Sequence, residues 1–160
     1  MKQEIKVTNA KQLVAKDSII AKAETNDCVV YATASAFNLT YDQAHGHVRH
    51  RFGRKDKRGT GTMELVQGMK DLAESKESIN GMYVKEILSQ PFKTYHTYGR
   101  DVNRKNRVTT FIKDHSQGTY FILVSRHALT IKDGVIIDNI NKGSGSALVK
   151  RAFKIEPVGS

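Results

Sequence analysis

Cys28, His127 and Asp138 are the residues whose types and order could do covalent chemistry. Cys28 is the only cysteine in the chain and sits in ETNDCVVYATASAF, where polar residues lead up to it and small helix-forming residues follow. A thiol at a helix start feels the positive end of the peptide dipoles, which favours the thiolate. The plainer alternative is a small hydrophobe packed in a core. His127 and Asp138 flank Asp133 and Gly134, and Asp-Gly between two apolar runs is a strong signal for a two-residue hairpin turn. If Lys132 then pairs with Val135, Ile131 faces Ile136, Thr130 faces Ile137, Leu129 faces Asp138 and His127 faces Ile140. Side chains alternate across a sheet, so His127, Leu129 and Ile131 share a face with Ile136, Asp138 and Ile140. His127 and Asp138 become diagonal neighbours, roughly 5–8 Å apart at Cβ. Such a pair is either structural or a base with its orienting group; with Cys28 added, it is what nucleophilic catalysis needs. A one-residue slip would offer Asn139 in place of Asp138.

The elements that must position these groups are legible in outline. Asn26 and Asp27 are N-cap candidates for a helix that Asn38 ends. Thr40 caps a second helix, YDQAHGHVRHRF, with Tyr41, Ala44, Val48 and Phe52 at helical spacing. GRKDKRGTGT reads as a loop bordering a cleft; it lacks the Gly-Lys-Ser/Thr ending of a phosphate loop. MELVQGMKDLAESK predicts a helix with Met63, Val66, Met69 and Leu72 on one face, whereas INGMYVKEIL and the segment up to Arg107 fit no single element. Thr109 or Thr110 opens a short helix stopped by Gly118. The strands TYFILVS, HALTIK and VIIDNI follow, then the loop NKGSGS and a last strand, ALVKRAFKI, with Val149, Arg151, Phe153 and Ile155 on one face. Helices first and antiparallel strands after predict one α+β domain over residues 1–160.

Composition bounds the function classes. A single cysteine excludes an intramolecular disulfide and a thiolate zinc site. The first twenty residues hold no apolar signal core and nothing downstream approaches a membrane span, so the expected location is the cytoplasm, bacterial or phage-infected, with no membrane partner. His47 and His50 would share a helix face while His45 lies off it; no metal site and no cofactor is predicted. His96 and His115 read as surface residues. Net charge is +10, from 26 basic and 16 acidic residues. Residues 49–58 and 100–107 concentrate that charge, as solvated loops or as a surface for nucleic acid or an acidic protein.

NDCVVYATASAF and GTYFILVSRHALTIKDGVIIDN together resemble the papain-like cysteine peptidase superfamily, in the style of its small bacterial and phage members. There a Cys starts an early helix, a His starts a strand about a hundred residues later, and an Asp or Asn follows on the next strand. The resemblance implies N-terminal helices packed on a C-terminal antiparallel sheet. It makes Cys28 the nucleophile, His127 the general base and acid, and Asp138 the residue that fixes the imidazole tautomer, with Asn139 as the competing third member. The implied chemistry is acyl transfer on a protein or peptide amide. The family usually carries a Gln before the Cys as oxyanion donor; here Lys22, Ala23, Glu24, Thr25 and Asn26 stand in that region. The backbone N–H of Cys28 and the side chain of Asn26 are the candidate donors, and one such donor is typically worth about 3 kcal/mol. The alternative is a papain-like domain without chemistry that binds through its basic segments, such as a phage accessory protein.

Overall fold

The computed structural model describes residues 6–24, 26–55, 57–89, 96–97, 100–101, 107–139 and 147–157. Ile140, Thr25, the loop at 141–146 and most of the basic segment 100–107 lie outside them. A short strand, β1 (Val7–Asn9), leads into α1 (Ala10–Val14) and α2 (Ile19–Ala23). The helices α3 (Cys28–Phe37), α4 (Tyr41–Arg51) and α5 (Thr62–Ser75) follow. After β2 (Met82–Ser89) and the two-residue strands β3 (His96–Thr97) and β4 (Arg100–Asp101) comes α6 (Val108–Asp114). The chain then forms β5 (Thr119–Val124), β6 (His127–Lys132), β7 (Val135–Asp138) and β8 (Arg151–Pro157). Among the described residues no helix is long and apolar enough to cross a membrane.

Six strands form one sheet in the order β1-β7-β6-β5-β8-β2. The architecture is α+β, as expected, but the sheet is mixed: β1 runs parallel to β7 and places Asn9 opposite Asp138. Both faces are covered. Phe121, Leu123, Ala128, Ile137, Phe153 and Ile155 pack against α1, α3, α4 and α5, while Tyr120, Ile122, Leu129, Ile131, Ile136 and Ala152 pack against Val108 and Phe111 of α6. β5 lies in the interior of the sheet and all six of its residues are buried, which is why its sequence is apolar throughout rather than alternating.

Local sequence explains most boundaries. Thr40 and Gln43 form a reciprocal capping box at the start of α4, and Asn38 ends α3 in the left-handed conformation at φ 56°. α6 starts at Val108, the residue before Thr109, and ends at Asp114; the C-cap His115 stacks its ring on Phe111 at 4.2 Å instead of standing in solvent. On α5 Met63 is exposed; the buried stripe is Leu65, Val66, Met69 and Leu72. Gly68 on that helix lies against the ring of Phe52, where an added Cβ would meet Cδ1 at 2.3 Å. β8 begins only at Arg151, so Val149 joins Ala152 on the α6 side rather than Phe153 and Ile155.

One buried contact locks α3 onto the sheet. Thr130 Oγ1 of β6 donates to the backbone carbonyl of Ala32 at 2.7 Å. Counting back from that bond, Cys28 is one helical turn away on α3 and His127 three residues away on β6, so both segments begin at the same end of the sheet. Thr130→Val keeps the shape and removes the donor. It is expected to cost about 1 kcal/mol, read as a lower midpoint in urea denaturation, with an unchanged midpoint counting against this bond as the lock.

Candidate active site

The turn between β6 and β7 forms as its residues dictate: Asp133 and Gly134 take positive φ, 48° and 80°, and Lys132 pairs with Val135, Ile131 with Ile136 and Thr130 with Ile137. That register brings Asp138 to His127, and the imidazole Nε2 meets Asp138 Oδ1 at 2.7 Å. Asp138 is 2% exposed, so the carboxylate acts on the ring with little competition from water. Cys28 and His127 both line one cleft, Cys28 is the second group that favours the charged form of the ring, and Nδ1 is the ring nitrogen that Asp138 does not engage. The bond that His127 donates to Asp138, then the influence of Cys28, raises the His127 pKa to about 10, against a smaller opposing effect of burial. The ring therefore favours its charged form at neutral pH.

Asp27 occupies the N-cap position of α3, yet its side chain makes no capping bond. Tyr41 Oη donates to Asp27 Oδ2 at 2.6 Å inside the core. Burial, then this bond and the charge of Asp27, push the Tyr41 phenol well above its usual range. The first N–H groups of α3, beginning with that of Cys28, are left without a side-chain cap, at the helix end where anions bind. Asn26 is exposed, in the left-handed conformation at φ 54°, and its Nδ2 donates to the Lys57 carbonyl at 3.3 Å. Asn139 follows Asp138 out of β7; its Oδ1 is buried with no hydrogen-bond partner, and it is Asp138 that the structure joins to His127.

A cleft of about 820 Å³ opens beside these groups, and Asn26, Cys28, His127 and Asn139 all line it. Its lining also includes Gly59, Thr60, Gly61 and Thr62, from the loop read as a cleft border. That loop is tied down by Glu24, which pairs with Arg54, accepts from the backbone N–H of Lys57 and lies 3.4 Å from His45 Nε2. Burial alone would raise the Glu24 pKa; the bonds to Arg54 and Lys57 outweigh it and hold the carboxyl below its usual value. His45 is thus a buried partner of Glu24 and not part of a solvated face, and His47 Nδ1 accepts from Arg51 Nε at 3.2 Å. Among the described residues no three His, Cys, Asp or Glu side chains come together as a metal site.

Within the basic segment 49–58, Arg51 pairs with Glu77 at 2.8 Å and Arg54 is buried against Glu24, so part of that charge is spent inside the fold. The cleft has cations that the charge-run reading did not single out: Arg126, Lys150 and Arg151 line it. The signal for Arg126 was present in the sequence. Two apolar strands are joined by Ser125 and Arg126 alone, a connection tight enough to force one of them into an unusual conformation. Among family models, curated proteins and solved structures, no match to this chain was found.

Proposed function

We propose that this protein is a papain-like thiol hydrolase or acyl transferase acting on a protein or peptide amide. The observation that carries the reading is the buried Asp138 carboxylate bonded to the His127 ring, with that ring and Cys28 lining the same open cleft. The Cys28 thiolate attacks the carbonyl carbon and the carbonyl electron pair moves to oxygen. The N–H of Cys28 meets that oxyanion, and Asn26 Nδ2, which spends one of its two hydrogens on Lys57, can offer the other. Collapse of the tetrahedral species breaks the C–N bond, and His127 gives its proton to the departing amine. The neutral ring then takes a proton from water or an amine as it attacks the thioester, and the sulfur leaves as thiolate paired again with imidazolium. Asp138 stays ionised throughout and holds the Nε2–H tautomer. Hydrolysis, isopeptide cleavage, deamidation and transamidation share these steps and differ in leaving group and acceptor.

The test is incubation of the protein with a complex peptide mixture, read by mass spectrometry for new termini, for the mass increase of deamidation and for amine adducts. Products that need both Cys28 and His127, and vanish in Cys28→Ser, are the expected result. A Cys28 that iodoacetamide labels at the rate of a simple thiol, equally fast in wild type and His127→Ala, would overturn the proposal.

A further inference from the structure

Arg126 occupies a backbone conformation that its side chain disfavours. It is the second residue of the two-residue link between β5 and β6, where Val124 pairs directly with His127, and its φ is 57°. Glycine takes this region without penalty and asparagine with little; an arginine there holds local strain. Strain kept at a functional edge points to a side chain that is needed where it is. Arg126 lines the cleft beside His127.

Lys150, the residue just before β8, approaches the same end of the sheet. Its backbone N–H donates to the Leu123 carbonyl at 2.7 Å, which fixes it next to the end of β5, just before Ser125 and Arg126, and it too lines the cleft. The neighbouring Arg151 is committed to Glu86 at 3.0 Å. Asp27 is the sole carboxylate in the cleft wall among the described residues, and it is buried on Tyr41. The cleft therefore presents two cations from separate elements, one held at a conformational cost, with no wall carboxylate free to neutralise them.

We propose that Arg126 and Lys150 form a carboxylate-recognising subsite beside the Cys28 sulfur, so that the preferred substrates carry an acidic group close to the acyl carbon attacked. This rests on the thiol chemistry proposed above and adds the substrate class. A carboxylate there meets two cations on one stretch of cleft wall, an attraction that added salt screens.

The probe is a matched pair of alkylating agents, iodoacetate and iodoacetamide, which differ in a carboxylate beside the reacting carbon. In both, the sulfur displaces iodide, forming the S–C bond as the C–I bond breaks. The ratio of the two rate constants, iodoacetate over iodoacetamide, is measured at low salt in wild type, Arg126→Asn, Arg126→Gly, Lys150→Met and Lys113→Met, the last an exposed cation on α6 outside the cleft. A fall in the ratio of about fivefold is expected for the Arg126 and Lys150 variants, shrinking in high salt, with no fall for Lys113→Met. Arg126→Gly is also expected to melt at the wild-type temperature or above it, because the strained conformation is relieved, which separates a binding role from a structural one. A ratio that stays at the wild-type value in both Arg126 variants and in Lys150→Met overturns the subsite while leaving the thiol chemistry standing. An equal drop in Lys113→Met overturns it as well, since overall charge then explains the effect. Iodoacetamide labelling at the rate of a simple thiol in wild type would instead overturn the reading beneath it.

Discussion

Alkylation of Cys28 at pH 5 is expected to slow by about tenfold or more in His127→Ala. A thiol without a cationic partner has a pKa of about 8.5, so only about 0.03% of it is thiolate at pH 5. In the wild type the imidazolium, held by Asp138, remains protonated up to about pH 10 and stands against the sulfur across the whole acid range. Part of the advantage is returned, because intrinsic nucleophilicity falls with basicity along a Brønsted slope of about 0.4–0.5. The difference should narrow towards pH 9, where a simple thiol is mostly ionised anyway. Turnover of any amide substrate should fall further, by roughly 10²–10⁴, since the variant also lacks the group that protonates the leaving amine. The measurement is the pH dependence of the labelling rate in both proteins. Superimposable profiles would mean that His127 does not activate the sulfur.

Asp138 is where the largest loss of stability is expected. Its side chain is 1% exposed and it bonds to an imidazolium, so Asp138→Ala leaves a largely buried charge without its main partner, at a cost of about 3 kcal/mol. The pH dependence follows from the direction of the His127 shift. Folding raises its pKa from 6.5 to about 10, so the folded state binds the proton more tightly than the unfolded chain. The resulting stabilisation is complete below about pH 6.5 and is lost as pH rises towards 10. In Asp138→Asn the ring loses the group that causes most of the shift, and this slope should flatten. Urea denaturation at pH 6 and at pH 9.5 is expected to show the wild type well above the variant at the lower pH and much closer at the higher. A gap of equal size at both would place the stabilisation elsewhere than in the imidazolium pair.

How much of the centre was legible depended on how local its signals were. Asp133-Gly134 is a turn whatever surrounds it, and once its two residues are fixed, alternation carries the register to His127 and Asp138 without further information. Thr40 with Gln43, and Asn38, are equally local and end their helices where their chemistry says they should. Asp27 shows where locality stops: its type marks the helix start correctly, but a buried phenol fourteen residues later takes its carboxylate. Met63 failed for a related reason, because a helical stripe through Met63 and one through Leu65 both satisfy the period, and only packing on the sheet selects between them. β1 had no local signature at all. Three residues, VTN, become a strand because β7 offers them an edge about 130 residues further on, and neither propensity nor alternation encodes that meeting. The cations of the cleft were hidden because they are isolated in sequence and gathered only by the fold.

The thiol and its two partners come from opposite ends of the chain, and translation is directional. At roughly 5–20 residues per second, Cys28 leaves the ribosome on the order of ten seconds before His127 and Asp138 exist. Throughout that interval the nascent sulfur has neither the His127 ring nor the cleft wall beside it, and the β6–β7 hairpin brings both. If the proposed chemistry holds, reactivity of the sulfur is expected to appear only once β6 and β7 have paired.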